Sequence, residues 1–186
     1  MHRLFVALRP PPEIRSALLA AMGGIPGARW QVDAQLHLTL RFIGEVDGHA
    51  SEEIAIALSR VRHPPVTLAI AGLGTFDKKG HVHTLWAGVA PADSVSELHR
   101  KIDRTMMQLG LEAEGRAYKP HITLARFGHQ GGDVAGFAAV HAGLASAPFS
   151  MDAFGLYESR LGSEGPTYQC VAEYPLISSV PPSSPS

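Results

Sequence analysis

The chain carries the same four-residue pattern, His-x-Thr-x, twice, 84 positions apart. The first copy is His37-Leu38-Thr39-Leu40 and the second is His121-Ile122-Thr123-Leu124. In an extended strand, residues i and i+2 share one face, so each copy directs histidine and threonine one way and its apolar residues the other. Two facing imidazoles can divide the work of general acid and general base near neutral pH. The repeat therefore predicts a catalytic site built from two matched half-sites.

An arginine follows each copy and could bind an anion. Arg41 has the same strand parity as His37, so it is predicted to extend the polar face, the alternative being a solvated charge at a strand edge. Arg126 has the opposite parity to His121. It reaches the same cleft only if a β-bulge, or the end of the strand, lies just before it.

A second pair of histidines, His81 and His83, raises the alternative of a metal site. Residues i and i+2 of a strand share a face and can bind a metal together. No Asp, Glu or Cys lies at tight ligand spacing beside them, and a turn is predicted next to them. We therefore expect no metal, and we interpret six further histidines as surface residues: His2, His49, His63, His99, His129 and His141.

Composition and charge restrict the class of protein. The chain has 186 residues, 45% hydrophobic and 18% charged, so a folded core is expected. A net charge of −1 excludes a protein that coats long nucleic acid, but not one that binds a small anion or one nucleic-acid end. Cys170 is the single cysteine, which excludes an intrachain disulfide. The apolar run Leu4-Phe5-Val6-Ala7-Leu8 is too short for a signal peptide or a membrane span, so a cytoplasmic protein is expected.

Hydrophobic periodicity predicts alternating strands and helices. Each His/Thr strand follows a helix, and each precedes an Arg-Phe pair, which indicates an internal duplication. Ser51 and Ser94 are predicted to cap two of the helices. We expect an α+β fold with bilobal, pseudo-twofold symmetry, in which two antiparallel-rich sheets with outer helices flank a central cleft. Residues 1–178 are predicted to form this single two-lobed domain, and residues 179–186 a disordered Pro/Ser tail.

The paired patterns and their surroundings resemble the 2H phosphoesterase superfamily, and within it the RNA 2′,3′-cyclic phosphodiesterases, also called 2′-5′ RNA ligases. The resemblance covers Arg3 to about Leu176. The matching stretches are Arg3-Leu4-Phe5-Val6-Ala7-Leu8, Trp30, His37-Leu38-Thr39-Leu40-Arg41-Phe42-Ile43-Gly44, Gly72-Leu73-Gly74-Thr75-Phe76, Leu85-Trp86-Ala87-Gly88-Val89, Pro120-His121-Ile122-Thr123-Leu124-Ala125-Arg126, Leu156-Tyr157-Glu158-Ser159 and Gly165-Pro166-Thr167-Tyr168.

The resemblance implies hydrolysis of a 2′,3′-cyclic phosphate at an RNA end to a 2′-phosphate, with 2′-5′ ligation in the reverse sense. It implies no metal and no nucleotide cofactor. His37 would be the proton donor and His121 the proton acceptor, Thr39 and Thr123 would bind phosphate oxygens, and Arg126 would support the second half-site. Implied partners are RNA ends such as tRNA fragments, or small cyclic nucleotides. We expect no membrane association and a monomer.

Further substrate contacts are predicted at Arg41, Phe42 and Tyr118. The alternative function is a non-catalytic module that binds RNA ends, in which these residues, with Lys119 and Phe127, would grip phosphate and stack a base. Binding without turnover would distinguish this module from an enzyme.

Overall fold

Nine strands and four helices make up the fold of the computed structural model, which describes residues 1–163 and 165–178. The predicted tail at residues 179–186 lies outside the described residues. The strands are β1 (His2–Leu8), β2 (Arg29–Trp30), β3 (Leu38–Val46), β4 (Val66–Lys78), β5 (His81–Ala90), β6 (His121–Arg126), β7 (Phe149–Met151), β8 (Ala153–Gly162) and β9 (Gly165–Pro175). The helices are α1 (Pro12–Ala21), α2 (Gly48–Leu58), α3 (Asp93–Gln108) and α4 (Ala135–Val140).

The strands form one antiparallel sheet in the order β7-β4-β5-β6-β3-β1-β8-β9, with β2 paired to β6. The order has a symmetric centre between β6 and β3. One half, β3-β1-β8-β9, carries the first His/Thr pattern, and the other half, β7-β4-β5-β6, carries the second. The predicted α+β class is confirmed, and the two expected sheets are the two halves of this continuous sheet.

The two halves meet where Leu38 of β3 pairs with Ile122 of β6. This pair joins the second residue of one His-x-Thr-x pattern to the second residue of the other. Both side chains are fully buried in the main hydrophobic core. The centre of the sheet is therefore fixed by the apolar positions of the repeated pattern.

Three helices cover the face of the sheet that these apolar residues share. The stripes of α1, α2 and α3 are buried in the same core as Leu38 and Ile122. The most regular stripe is that of α3, with Val95, Leu98 and Ile102 fully buried. The opposite face of the central strands is left to the histidines and threonines.

The predicted helix caps at Ser51 and Ser94 are wrong. Helix α2 begins one turn earlier, where the Asp47 carboxylate accepts a hydrogen bond from the Ala50 N–H at 2.8 Å. Helix α3 has Ala92 at its N-cap and no side-chain cap. Within the described ranges, no helix is both long enough and apolar enough to cross a membrane.

Each central strand contains a β-bulge at the same position of its pattern. In β3, Thr39 pairs with Ala7 and Arg41 pairs with Val6, so Leu40 is an extra residue. In β6, Thr123 pairs with Trp86 and Ala125 with Leu85, so Leu124 is extra.

A bulge places two consecutive side chains towards the same side and reverses the parity of the rest of the strand. The residue five positions after each histidine is thereby returned to the histidine face. In β3 that residue is Phe42, and in β6 it is Arg126.

The central pair gives a stability prediction. We expect Leu38→Ala to lower the free energy of unfolding by about 3 kcal/mol, because it leaves a cavity where the half-sheets join. Urea denaturation followed by circular dichroism measures this change. The matched control is Leu161→Ala, since Leu161 is 76% exposed and its loss should cost less than about 0.5 kcal/mol. Equal losses in the two variants would contradict the assignment of Leu38 to the core.

Candidate active site

Four polar side chains meet on the exposed face of the central strands. Continuing the Leu38–Ile122 register by one residue sets His37 opposite Thr123 and Thr39 opposite His121. Diagonal neighbours in such an array have Cβ atoms about 7–8 Å apart, which leaves room between the two imidazoles for a group of phosphate size. All four side chains are partly buried.

Both imidazoles are held in the same way, by the carbonyl two residues earlier in the chain. Nδ1 of His37 lies 2.6 Å from the Gln35 carbonyl oxygen, and Nδ1 of His121 lies 2.7 Å from that of Lys119. A carbonyl oxygen only accepts hydrogen bonds, so each Nδ1 carries the hydrogen and donates it. In each neutral ring Nε2 is therefore the atom left to accept or deliver a proton.

The first half-site has an additional hydrogen bond within its pattern. Nε2 of His37 lies 3.0 Å from the Thr39 hydroxyl oxygen. When His37 is neutral, this hydroxyl donates to the bare nitrogen, and when His37 is charged, the direction reverses. The hydroxyl therefore remains hydrogen-bonded in both protonation states of His37.

Two aromatic rings enclose each histidine. His37 lies 4.9 Å from the ring of Phe5 and 5.2 Å, edge to face, from that of Tyr168. His121 lies 4.8 Å, edge to face, from Phe76 and 5.7 Å from Trp86. These rings exclude water from the imidazoles and give the two half-sites similar surroundings.

This enclosure lowers the basicity of both histidines. The pKa of His37 is lowered from 6.5 to about 4, chiefly by burial; the charges of Arg126 and His121 contribute in the same direction, and the Gln35 carbonyl opposes them. Burial also lowers the pKa of His121, again with Arg126 acting in the same direction. In the free protein at pH 7 both imidazoles are therefore neutral.

Two cavities open on either side of this array, and Thr39 and Phe42 line both. The smaller, about 290 Å³, contains His37 and Arg126. The larger, about 660 Å³, contains His121. Phe42, which is 45% exposed, stands between them. The cleft is thus divided into two compartments, each with one histidine of the repeated pattern.

Arg126 lies in the compartment of His37. The bulge at Leu124 places Arg126 on the same face of the strand as His121. A bulge before Arg126 is what strand parity required for Arg126 to reach the cleft. Its side chain is exposed, and its charge acts on both histidines. It can therefore contact an anion bound between them.

The prediction that Arg41 extends the histidine face is wrong. The bulge at Leu40 turns Arg41 towards α3, where it is 7% exposed. Its guanidinium forms ion pairs with Asp103 at 2.8 Å and Glu114 at 3.1 Å, and it also donates to the Glu112 carbonyl. Arg41 therefore ties β3 to α3 and to the segment that leads into β6.

Two other residues that were predicted to contact the substrate, Tyr118 and Phe127, make contacts within the protein. Tyr118 stacks on His99 with ring centroids 4.0 Å apart, and its hydroxyl donates to the Thr39 carbonyl at 2.9 Å. Burial raises the pKa of Tyr118, so its hydroxyl keeps this proton. Phe127 is 3% exposed in a second, smaller core. Phe127 is thereby removed as a contact for the alternative RNA-end-binding module, whereas Arg41 and Tyr118 still line the larger compartment.

Two histidines that we interpreted as surface residues are buried. His99 of α3 is 7% exposed, and its Nδ1 donates to the carbonyl of the bulged Leu40 at 2.6 Å. His63 is 1% exposed. The position of His99 within the apolar stripe of α3 was the one signal in the sequence, since it directly follows the buried Leu98.

The histidine pair considered as a metal site lies beside the turn between β4 and β5. His81 is exposed and His83 partly buried. Within residues 1–163 and 165–178, no group of three or more His, Cys, Asp or Glu side chains is arranged to hold a metal ion.

Comparison with known proteins identifies the family. The family model of the 2′-5′ RNA ligase superfamily matches residues 7–162, which is most of the chain. The chain belongs to the 2′-5′ RNA ligase superfamily. The resemblance inferred from the paired patterns is thereby confirmed.

Relatives within the 2′-5′ RNA ligase superfamily extend over nearly the whole chain. An RNA 2′,3′-cyclic phosphodiesterase of Geobacillus stearothermophilus is 28% identical over 179 residues, covering 93% of this chain and 57% of that protein. The RNA 2′,3′-cyclic phosphodiesterase of Thermus thermophilus is 30% identical over 185 residues, covering 94% of this chain and 90% of its own. The chain thus spans little more than half the length of the Geobacillus protein.

A superfamily member of known structure shares the fold. The crystal structure of Escherichia coli LigT complexed with 3′-AMP superposes with a TM-score of 0.78 at 24% identity. The superposition covers 94% of this chain and 98% of LigT.

The depressed pKa of His37 gives a prediction about stability. The folded protein binds this proton less readily than the unfolded chain, so stability is lost as the pH falls from 6.5 towards 4. We expect the free energy of unfolding of His37→Asn to fall by about 2 kcal/mol less than that of the wild type over this pH range. This is smaller than the value that the whole pKa shift would give, because the ring is only partly buried.

Urea titrations between pH 4 and pH 7 measure the difference. His49→Asn is the matched control, because the His49 side chain is 82% exposed. A wild-type pH dependence retained in His37→Asn would show that His37 is not a neutral buried group.

Proposed function

We propose that this chain is an RNA 2′,3′-cyclic 3′-phosphodiesterase that opens the cyclic phosphate to a 2′-phosphate by two-histidine acid–base catalysis. The proposal rests on one observation. Two imidazoles on adjacent strands each donate Nδ1–H to a backbone carbonyl, so Nε2 is the titrating atom of each ring on the two sides of a gap of phosphate size. In the free protein Nε2 of His37 is hydrogen-bonded to the Thr39 hydroxyl, which the substrate must displace. The names of the curated relatives give this chemistry its substrate class.

The chemistry needs one proton acceptor and one proton donor on opposite sides of phosphorus. Neutral His121 accepts a proton from water at Nε2 as the water oxygen attacks phosphorus. Protonated His37 donates its Nε2 proton to the 3′ oxygen as the bond between phosphorus and that oxygen breaks. Each transfer typically contributes about 10²–10⁴ in rate.

The donor role of His37 requires a change of its protonation state on binding. At a pKa of about 4, His37 is neutral in the free protein near pH 7. A cyclic phosphodiester carries one negative charge, and an adjacent negative charge raises the pKa of an imidazole. Bound substrate would therefore raise the pKa of His37 and so favour the protonated form that the reaction requires.

Threonine hydroxyls and one guanidinium complete the site. Thr39 and Thr123 can donate hydrogen bonds to the non-bridging oxygens, where negative charge grows in the transition state. Arg126 supplies a fixed positive charge from the compartment of His37. Of the described residues lining that compartment, none is acidic, so an anion meets no like charge there.

The size of the second compartment also favours ligation. The cavity beside His121 has about 660 Å³, whereas one water occupies about 30 Å³ in the liquid. The 5′-hydroxyl of a second RNA end could take the place of the attacking water, which would form a 2′-5′ linkage. We propose ligation as a second outcome at the same pair of histidines.

An oligonucleotide ending in a 2′,3′-cyclic phosphate tests the assignment. With chelator present, we expect a product heavier by one water, with its phosphate on the 2′ oxygen. His37→Ala and His121→Ala should each lower kcat by about 10²-fold or more, since each removes one proton transfer. His49→Ala is the matched control and should turn over like the wild type. Unchanged turnover in either site variant would overturn the two-histidine mechanism.

The pH dependence tests the coupling of the pair. Because one histidine must be charged and the other neutral, kcat/KM should follow a bell with two limbs that belong to the pair. Both pKa values are lowered in the free protein, so we expect its maximum below pH 6.5.

Bound phosphate raises the same pKa values, so the maximum of kcat should lie at higher pH than that of kcat/KM. Steady-state kinetics from pH 4 to pH 9 separate the two profiles. A monotonic kcat/KM would contradict paired action.

A further inference from the structure

Two arginines line the smaller compartment, and a third is paired with one of them across neighbouring strands. Arg3 and Arg126 line that compartment together, and Arg29 of β2 pairs directly with Arg126 of β6. Arg3 also lies over the ring of Phe42, with its guanidinium carbon 5.4 Å from the ring centre. The chain as a whole has a net charge of −1, so this clustering is local.

The side chains of Arg29 and Arg126 lie on the same face of the sheet as the catalytic array. Directly opposed residues of antiparallel strands share a face. Their neighbours confirm the orientation, because Trp30 and Ala125, the next pair in the register, both pack into the second hydrophobic core on the other side. Arg29 therefore extends the polar face beyond Arg126.

This arrangement is unfavourable for the protein alone. Like charges directly opposite each other on neighbouring strands destabilise a sheet. Within residues 1–163 and 165–178, none of the three arginines forms an ion pair, as is also true of Arg60, Arg62, Arg100, Arg104 and Arg116. What distinguishes Arg29 and Arg126 is that they lie directly opposite each other on paired strands. A repulsive pair without a protein counter-charge is best explained by an anion that the protein binds.

We propose that Arg3, Arg126 and Arg29 together bind the phosphodiester backbone of the RNA strand that leads to the cyclic phosphate. The inference rests on the proposed function and adds a substrate class to it: an oligonucleotide end is preferred over a free cyclic mononucleotide. Arg126 lies nearest the histidines and contacts the reacting phosphate. Arg29, one strand spacing farther, about 5 Å, meets the next phosphate of the strand.

The second compartment does not offer the same path. Its lining combines two carboxylates, Asp77 and Glu114, with three cations, Arg41, Arg116 and Lys119. A strand of phosphates would meet carboxylates there, whereas a neutral nucleoside or water would not. Because carboxylates line only the larger compartment, the polyanionic strand is assigned to the side of His37, where the charged lining consists of Arg3 and Arg126.

Two substrates and one arginine variant test the inference. A nucleoside 2′,3′-cyclic phosphate and a ten-nucleotide RNA with the same end are compared in the wild type and in Arg29→Ala. We expect KM for the oligonucleotide to rise on the order of fivefold, and the slope of log affinity against log salt to fall by about 1. Kinetics on the mononucleotide should not change, because Arg29 does not reach its phosphate.

The matched control is Arg60→Ala, which removes an exposed arginine at the end of α2, on the helical side of the sheet. It should alter neither substrate. Equal effects of Arg29→Ala on both substrates, or no effect on either, would overturn the inference while leaving the proposed hydrolysis in place.

Equilibrium binding of the oligonucleotide to the wild type and to Arg29→Ala, measured in parallel, gives a readout independent of turnover. Weaker, less salt-dependent binding in the variant supports this role of the three arginines even if no product forms, which would overturn only the proposed hydrolysis. Unchanged binding would overturn that role.

Discussion

The pairing of Leu38 with Ile122 is the contact on which the rest of the structure depends. It joins two half-sheets through the apolar positions of the repeated pattern, and both side chains are buried beneath three helices. Because strand side chains alternate, fixing these two apolar residues also fixes the histidines and threonines on the opposite face. A slip of one residue at this point would bury the imidazoles and expose the leucines. Core packing and site geometry are thus specified by the same register.

The two half-sites are alike in backbone and different in charge. Each imidazole is held by a carbonyl two residues upstream, each is enclosed by two aromatic rings, and each strand bulges at the fourth residue of its pattern. Past the bulge the equivalent positions hold Phe42 and Arg126. The duplicated backbone therefore carries an apolar side chain, Phe42, in one half-site and a cation, Arg126, in the other. This difference in charge makes the two half-sites unequal for an anionic substrate.

The sequence predicted much of the fold because its signals are local. The repeated pattern, the alternation of strands and the apolar stripe of α3 required no tertiary information. Arg41 and Arg126 show where such reasoning fails, because strand parity holds only as far as the next bulge. A bulge depends on how a strand pairs with its neighbour, and nothing in Leu40 or Leu124 alone reveals it. His99 was missed because its hydrogen bond joins a helix to a strand 59 residues away.

The order of the strands along the chain also governs when the site can form during synthesis. The half-sheet that carries His121 is built from one continuous stretch, from β4 to β7. The half that carries His37 combines β1 and β3 with β8 and β9, so it stays incomplete until the last strand has left the ribosome. Tyr168, which packs against His37, lies on that last strand. A nascent chain can therefore fold one histidine's half first, but it cannot enclose the other until translation has passed β9.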